Sequence, residues 1–326
     1  YHSLPSHVQK SVTYKFSGKW QDRILRSLLK MMGKDPVKFQ FIKLQKSFKA
    51  DAWYINTIVI PHVFDYAQYL DVKLITHFHE LLHAFTFIKK NHLQKIIDQS
   101  YFCIACAEEV QEKIREMGQT NVSIQPSFID PGLIHIQPGR VEELKNKWGI
   151  NPDDFVWVIS GVATYMKGLD YLIPILEFFK DRPVKIIWIG KPLNDGLEFY
   201  VQRVAERKYP GKLIFTGPLN EDYYATMAIG QGFLLLSREE SFSLVMVEAA
   251  YLGIPLVAFN VGISGKFVQE GMGKVVEGCN WQNITAAMEW LHINPVPNKV
   301  KLKEAAREYT VEKQLKPYQN LIDQII

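Results

Sequence analysis

The segment Arg238–Pro255 reads REESFSLVMVEAAYLGIP and lies between two short apolar runs. These runs, Gly232–Ser237 and Pro255–Phe259, predict buried β-strands because each is a continuous apolar stretch bounded by turn residues. The residues between them predict a short α-helix. A strand, a helix and a strand in immediate succession predict a parallel sheet with crossover helices.

Two carboxylates mark this predicted helix, with Glu240 just outside its N-terminus and Glu248 about two turns inside it. The free N–H groups and the positive dipole end of a helix start favour a phosphate. A phosphate repels a carboxylate, so the better partners for both acids are hydroxyl groups. The arrangement suits a ligand that is both a phosphate and a polyol, although spacing alone also fits an ordinary helix cap with two surface acids.

The composition is that of a globular protein with about two domains: 326 residues, 47% hydrophobic and 22% charged. No apolar run predicts a transmembrane helix, and no signal peptide is predicted at the start. Three cysteines do not make a disulfide framework. Cys103 and Cys106 form C-x-x-C inside an apolar run and are predicted to be core residues, which favours a reducing, cytoplasmic location.

Positive charge is concentrated in residues 1–50, which carry eleven Lys and Arg against two Asp. Apolar residues recur there at near-helical spacing and predict a basic amphipathic helix. Such a helix could lie on an anionic membrane surface, at the inner face of the membrane, or could pack its apolar face on its own domain. No nucleic-acid motif is present, so no nucleic-acid partner is expected.

Strand-like and helix-like runs alternate along the chain, which predicts α/β domains with parallel sheets and crossover helices, the second of them a complete doubly wound domain. The predicted boundaries are 1–132 for the first domain, 133–305 for the second and 306–326 for a C-terminal helix that packs back on the first. The first domain lacks an opening strand with a glycine-rich turn, so it is predicted to be short or N-terminally incomplete. The predicted strands of the second domain are Phe155–Gly161, Val184–Gly190, Leu213–Gly217 and Gly232–Ser237. A helix over Lys167–Lys180 is predicted after the first of them.

The strands of the second domain end in small or flexible residues, including Gly161 and Gly190. Ligands bind outside the carboxyl ends of the strands of an open α/β sheet, and glycine lets backbone approach them closely. Lys167 follows the first of these strands. It could neutralise a diphosphate leaving group without a metal, although a solvated lysine at a helix start fits the same position.

A competing motif is H-E-x-x-H, formed by His79, Glu80 and His83. On a helix this spacing presents two imidazoles for zinc and a carboxylate as general base, with Glu108 or Glu109 as a conceivable third ligand. Here the motif directly follows a predicted strand, so His79 should lie in a strand-to-helix turn. The two imidazoles would then not share a helical face, and no metal is expected.

Taken together, the motifs of the second domain resemble the donor-binding domain of GT-B glycosyltransferases, most closely the retaining family-four (glycosyl transferases group 1) type. The resemblance covers roughly residues 150–290. It implies the GT-B fold, with two Rossmann-like doubly wound α/β domains and a cleft between them. Its elements are Gly161 with Lys167-Gly168, Ile189-Gly190, Phe215-Thr216-Gly217, Ser237, and the E-x₇-E pair Glu240 and Glu248 followed by Ala249–Ala258.

The resemblance implies a role for each site residue. Glu240 would contact the donor sugar, Glu248 the ribose of the nucleotide, and Lys167 the diphosphate. The family has a histidine at the end of a strand in its N-terminal domain, which implies His79 as a catalytic residue hydrogen-bonded to the sugar or the acceptor, with His77 as the fallback. The other implied donor-binding residues are Gly161, Gly190, Ser241, Phe242, Ser243 and Leu244.

Two positions depart from the family pattern. Val162 stands where the family usually has an arginine, which leaves less positive charge for a diphosphate. The family often has a second glycine and a glutamate after the strand at Val257, where this chain has the run Gly262-Ile263-Ser264-Gly265-Lys266. Lys191 or Lys266 could compensate for the missing charge.

The implied function is transfer of a sugar from a UDP- or GDP-sugar to a glycan or lipid-linked acceptor, in surface polysaccharide or glycolipid assembly. The resemblance implies a hexosyltransferase that retains anomeric configuration, with no metal and no other cofactor. Three alternatives stay open: a non-catalytic sugar-nucleotide-binding relative, a nucleotide-sugar epimerase and a zinc hydrolase.

Overall fold

A computed structural model describes residues 20–67, 69–294 and 299–326. These residues form two compact units, one from 20–125 together with 315–326 and one from 126–314. We call them the first and the second unit. Each contains one parallel β-sheet, with four strands in the first unit and six in the second.

The first unit is built on four strands that pair in the order β1-β2-β3-β4, all parallel. Their bounds are Ala52–Ile55 (β1), Lys73–Phe78 (β2), Phe102–Ala105 (β3) and Val122–Ile124 (β4). The helices are Trp20–Met31 (α1), Pro36–Phe48 (α2), His62–Ala67 (α3), Leu82–Phe85 (α4), Lys90–Gln99 (α5) and Glu108–Glu116 (α6).

The core of the first unit lies on β2 and β3, in which every residue after the first is buried. Ile75 and Ile104 are buried there and pack against Ile325 near the C-terminus. Cys103 and Cys106 are buried as predicted, and burial raises the pKa of the Cys103 thiol to about 12. A thiol with so high a pKa is a core residue and is not poised as a nucleophile.

The second unit has the strand order β10-β9-β8-β5-β6-β7, and every pair is parallel. Its strands are Phe155–Ser160 (β5), Val184–Ile189 (β6), Leu213–Gly217 (β7), Gly232–Leu235 (β8), Leu256–Phe259 (β9) and Gly273–Val276 (β10). The helices that follow in the chain are Arg140–Lys147 (α7), Leu172–Phe178 (α8), Gly196–Lys208 (α9), Tyr223–Met227 (α10), Leu244–Tyr251 (α11), Ser264–Phe267 (α12), Trp281–Ile293 (α13), Lys299–Arg307 (α14) and Val311–Ile325 (α15). Helix α15 begins in the second unit and ends in the first.

This strand order places a topological switch point between β5 and β8. The chain builds the sheet from β5 through β6 to β7 on one side, and from β8 through β9 to β10 on the other. Loops that leave two neighbouring strands in opposite directions open a crevice at the carboxyl edge, which is where ligands bind in such sheets. The loops that follow β5 and β8 therefore border the expected site.

The helix predicted over Lys167–Lys180 begins later than expected, because α8 starts only at Leu172, after a 3-10 turn over Leu169–Tyr171. Gly168 adopts a left-handed conformation with φ of 80°, and a Cβ there would lie 2.3 Å from the carbonyl oxygen of Leu236. Only glycine allows this turn and this close approach to the chain beyond β8. Lys167 consequently lies in a loop.

No helix within residues 20–67, 69–294 and 299–326 has the length and apolarity needed to cross a bilayer.

Candidate functional site

Two glycines bring the loops after β5 and β6 together. Gly161 and Gly190 have φ values of 146° and 156°, and a Cβ on Gly190 would lie only 1.9 Å from the carbonyl oxygen of Gly161. That same oxygen accepts a hydrogen bond of 2.9 Å from Nε1 of buried Trp188. Both glycines were predicted to contact the donor. The structure gives each a backbone reason to be glycine: Gly190 for the close approach of the two loops and Gly161 for its positive φ.

Lys167 and Glu240 meet at the switch point. Nζ of Lys167 lies 2.5 Å from Oε1 of Glu240, and the Ser237 hydroxyl donates to the same oxygen at 2.6 Å. The Glu240 side chain is only 10% exposed, against 32% for Lys167. The sequence suggested a cation and an acid with separate partners, whereas the structure joins them in one charge-assisted contact.

Glu248 lies in α11 with both carboxylate oxygens hydrogen-bonded. The Tyr223 hydroxyl donates to Oε2 at 2.9 Å, and the Tyr224 hydroxyl donates to Oε1 at 3.0 Å. Tyr223 also lies 2.8 Å from the Ser160 hydroxyl at the end of β5. Burial raises the pKa of Glu248, and the two tyrosine hydrogen bonds oppose that rise.

The two tyrosines are site residues that the sequence interpretation missed. Both belong to α10, a helix of five residues, and both phenol pKa values are raised, chiefly by burial and then by the charge of Glu248. A signal was present, because a buried tyrosine needs a partner for its hydroxyl, and two adjacent tyrosines need two. The identity of that partner depends on the fold.

The start of α11 has an unusual backbone. Ser243, its N-cap residue, has φ of 80° and ψ of 65°, and its side chain does not cap the helix. The residue is buried, and its hydroxyl has no hydrogen-bond partner among the described residues. Left-handed conformation in a non-glycine residue and an unsatisfied buried hydroxyl both cost free energy, and such features concentrate at functional sites.

The other residues predicted around this helix start differ in what their side chains contact. The Phe242 ring is buried and packs against Tyr309 with the ring centroids 5.4 Å apart, so it is part of the core. Leu244 is 38% exposed and Ser241 is half-buried. Whatever Phe242 offers a ligand must come from its backbone.

His79 lies in the first unit, directly after β2. Its Nε2 is 2.8 Å from Oδ1 of Asn56, and its ring lies beside that of buried His77, with the centroids 3.9 Å apart. Burial lowers the pKa of both imidazoles, and that of His77 falls well below its ordinary value. The lowered pKa favours the neutral form of the His79 imidazole.

The H-E-x-x-H motif does not lie on one helix. His79 follows β2, whereas His83 is in α4, which begins at Leu82. The carboxylate of Glu80 accepts hydrogen bonds from Thr57 and from the backbone N–H of His79. Within the described ranges, no group of three or more His, Cys, Asp or Glu residues is arranged to hold a metal ion.

The model of the family described as glycosyl transferases group 1 matches residues 140–309, just over half of the chain. The chain belongs to this family. The matched residues contain every predicted donor-binding residue of the second unit, from Gly161 to Glu248.

The chain matches its curated relatives over only part of their length. It is 26% identical to the N-acetyl-alpha-D-glucosaminyl L-malate synthase of Bacillus anthracis over 54% of this chain and 45% of that protein. It is 25% identical to the D-inositol 3-phosphate glycosyltransferase of Rhodococcus opacus over 66% of this chain and 50% of that protein. The chain thus spans about half the length of the curated relatives it matches.

Solved structures confirm the predicted fold. HepE from Anabaena, in complex with UDP and glucose, superposes with a TM-score of 0.79 at 17% identity, covering 94% of this chain and 90% of that one. The predicted GT-B class, with two Rossmann-like α/β domains, is therefore confirmed.

The conformation of Ser243 predicts that glycine is the more stable residue there. Ser243→Gly removes the left-handed strain and the unsatisfied hydroxyl, and should raise the free energy of unfolding by about 1 kcal/mol after the extra entropy of the unfolded chain is subtracted. Ser243→Ala removes the hydroxyl but keeps the strain, so its gain should be smaller. Urea unfolding of the three proteins checks this order. A Ser243→Gly protein no more stable than wild type would contradict it.

Proposed function

We propose that the protein is a glycosyltransferase that moves a sugar from a UDP- or GDP-sugar to a glycan or lipid-linked acceptor. The observation that carries this proposal is the contact between Lys167 and Glu240, placed at the switch point beside the start of α11. It puts a cation for a diphosphate and an acceptor for sugar hydroxyls side by side, which a glycosyl phosphate requires.

Lys167 is proposed to hold the diphosphate without leaving Glu240. An ammonium group has three N–H donors, and one of them is directed at Oε1 of Glu240. The other two can bind phosphate oxygens. The backbone N–H groups of Ser243 and Leu244, at the positive end of α11, would add hydrogen bonds to the same group.

Glu248 is proposed to bind the two ribose hydroxyls. Each of its oxygens accepts one tyrosine hydroxyl, and a carboxylate has about four acceptor sites, so one site remains on each oxygen. Glu240 is proposed to bind the donor sugar through Oε2, because its hydrogen bonds with Lys167 and Ser237 both fall on Oε1. His79, as a neutral imidazole, is proposed to hydrogen-bond the transferred sugar or the acceptor.

The names of the relatives support a sugar donor. One structural neighbour is a complex with UDP and glucose, and another relative is an O-antigen chain mannosyltransferase from Escherichia coli. The latter agrees with a role in surface polysaccharide or glycolipid assembly.

Val162, which is 42% exposed where the family usually has an arginine, favours a second candidate: a sugar-nucleotide-binding protein without transferase activity.

A thermal-shift screen of UDP, GDP and their hexose conjugates tests the proposal. One nucleotide series should raise the melting temperature of the wild type, because a ligand at 100 times its Kd stabilises by roughly 2.7 kcal/mol. Glu248→Gln should abolish the shift. Glu206→Gln, which changes an exposed glutamate of α9, should preserve it. If none of these compounds stabilises the wild type, the proposed function is wrong.

The Glu248→Gln protein also reports on its own folding. Because burial raises the pKa of Glu248 above the ordinary value of 4.5, the ionised group opposes folding at neutral pH. The melting temperature of the variant without ligand, relative to wild type, should therefore be highest near pH 7 and should fall as the pH is lowered toward 4.5, because only the wild type loses this buried charge. Loss of the ligand shift in a variant that still unfolds cooperatively cannot be attributed to unfolding.

Transfer is proposed to retain anomeric configuration. The bond from C1 of the sugar to the phosphate oxygen breaks, the bond from C1 to the acceptor oxygen forms on the same face, and the acceptor proton passes to the leaving diphosphate. Lys167 and the α11 N–H groups stabilise the charge on that diphosphate, so no metal is required. NMR of the product should show the anomeric configuration of the donor, and excess EDTA should leave the rate unchanged. An inverted product, or loss of activity in EDTA, would refute this mechanism.

The first unit is proposed to contact an anionic membrane through residues 1–50, at the cytoplasmic face. Residues 1–19 lie outside the described residues. Within the described part, α1 exposes Leu28 and Met31, and the exposed cations Lys30 and Lys34 lie in α1 and just after it.

Sedimentation with vesicles of phosphatidylcholine and phosphatidylglycerol tests this contact. Binding should occur at low ionic strength and be lost at about 0.5 M salt, where exposed charges are screened. Lys30→Glu with Lys34→Glu should weaken it, whereas Lys145→Glu with Lys180→Glu, in the second unit, should not. Absence of wild-type binding at low salt would refute the membrane contact and leave the transferase proposal standing.

A further inference from the structure

Arg238 joins the end of β8 to the loop that carries Lys167. Its backbone N–H donates to the carbonyl oxygen of Met166 at 2.8 Å. Its guanidinium donates to the carbonyl oxygen of Tyr165 and, through both Nη atoms, to the two carboxylate oxygens of Asp170 at 2.9 and 2.7 Å. The loop is therefore held just before Lys167 and again three residues after it.

Two aromatic rings fix the plane of this guanidinium. Its Cζ lies 3.7 Å from the ring centroid of Tyr165 and 4.3 Å from that of Tyr171. The side chain is 17% exposed, and Asp170 is 30% exposed. A planar, bidentate pair stacked on aromatic rings loses little conformational entropy and has one preferred geometry, which lysine at the same position could not reproduce.

Arg238 is poorly placed to replace the arginine that the family usually has at the position of Val162. Its charge is already compensated by Asp170, and both of its Nη atoms donate to protein oxygens. A diphosphate would have to break this bidentate pair in order to bind there. The effect of Arg238 must instead pass through the residue that its contacts enclose, which is Lys167.

We infer that Arg238, together with Asp170, is a positioning residue that fixes the Lys167 loop against the chain after β8 and so places the Lys167 ammonium for the diphosphate. This inference rests on the proposed function. The placement matters more here because Val162 leaves Lys167 as the cation of this loop that reaches Glu240. The close contact of Gly168 with Leu236 already brings the Lys167 loop against the chain after β8. The contacts of Arg238 then set the orientation of that loop.

The test measures Kd for UDP and for uridine, and in parallel for GDP and guanosine, by titration calorimetry or ligand-observed NMR. The ratio of the two affinities reports the contribution of the diphosphate. Arg238→Lys should weaken nucleotide diphosphate binding about 10-fold, which is roughly 1.4 kcal/mol, and leave nucleoside binding unchanged. Arg203→Lys, which alters an arginine beside the Phe199 ring of α9, is the matched control and should change neither.

A double-mutant cycle separates positioning from general destabilisation. If Arg238 acts through Lys167, then in a Lys167→Met protein the change Arg238→Lys should cost less than 2-fold more. Asp170→Asn, which keeps the guanidinium and weakens its partner, should give the same selective loss and serves if Arg238→Lys does not fold.

Four results would overturn the inference. Equal losses for nucleotide and nucleoside would show a structural role. Effects that add fully to Lys167→Met would show that Arg238 acts independently of Lys167. If Arg238→Lys and Asp170→Asn both keep wild-type affinity, the positioning role of Arg238 and Asp170 is refuted and the proposed function stands. If the wild type binds neither UDP nor GDP, the proposed function is refuted as well.

Discussion

The contact between Lys167 and Glu240 is the interaction on which the candidate site depends. The two residues are 73 positions apart in the chain, and they meet because β5 and β8 are neighbours in the sheet. Parallel strands place their carboxyl ends at one edge, and the chain leaves this pair in opposite directions, so a cation from one loop faces an acid from the other. Strand order is therefore what turns two separate sequence motifs into one site.

Close packing of backbone makes that contact possible. Gly190 lies against Gly161, and Gly168 lies against Leu236, at distances where a Cβ would collide. These glycines act first as structural residues and only then as possible ligand contacts. The same packing explains the late start of α8: a left-handed residue interrupts the helix pattern that Lys167–Lys180 shows in the sequence. Periodicity reports which side chains are apolar, and it does not report the space available to the backbone.

The parts of the structure that the sequence predicted well are those decided by local pattern. Strands β5, β6 and β7 are continuous apolar runs bounded by turn residues, and they were found nearly at their observed bounds. The parts that it missed depend on pairs of residues far apart in the chain. Tyr223 and Tyr224 were not identified because their partner, Glu248, lies on another helix. The H-E-x-x-H spacing, by contrast, was correctly placed in a strand-to-helix turn, because the apolar run before His79 reads as a strand.

The most direct test is a crystal structure of the protein with UDP or GDP bound, whichever nucleotide it recognises. We expect the diphosphate within about 3 Å of Lys167 Nζ and of the backbone nitrogens at the start of α11, with the ribose hydroxyls on Glu248. The tyrosine hydrogen bonds to Glu248 and the contact of Lys167 with Glu240 should be retained. A diphosphate bound away from Lys167 and α11, or a ribose that does not touch Glu248, would show that the donor site lies elsewhere.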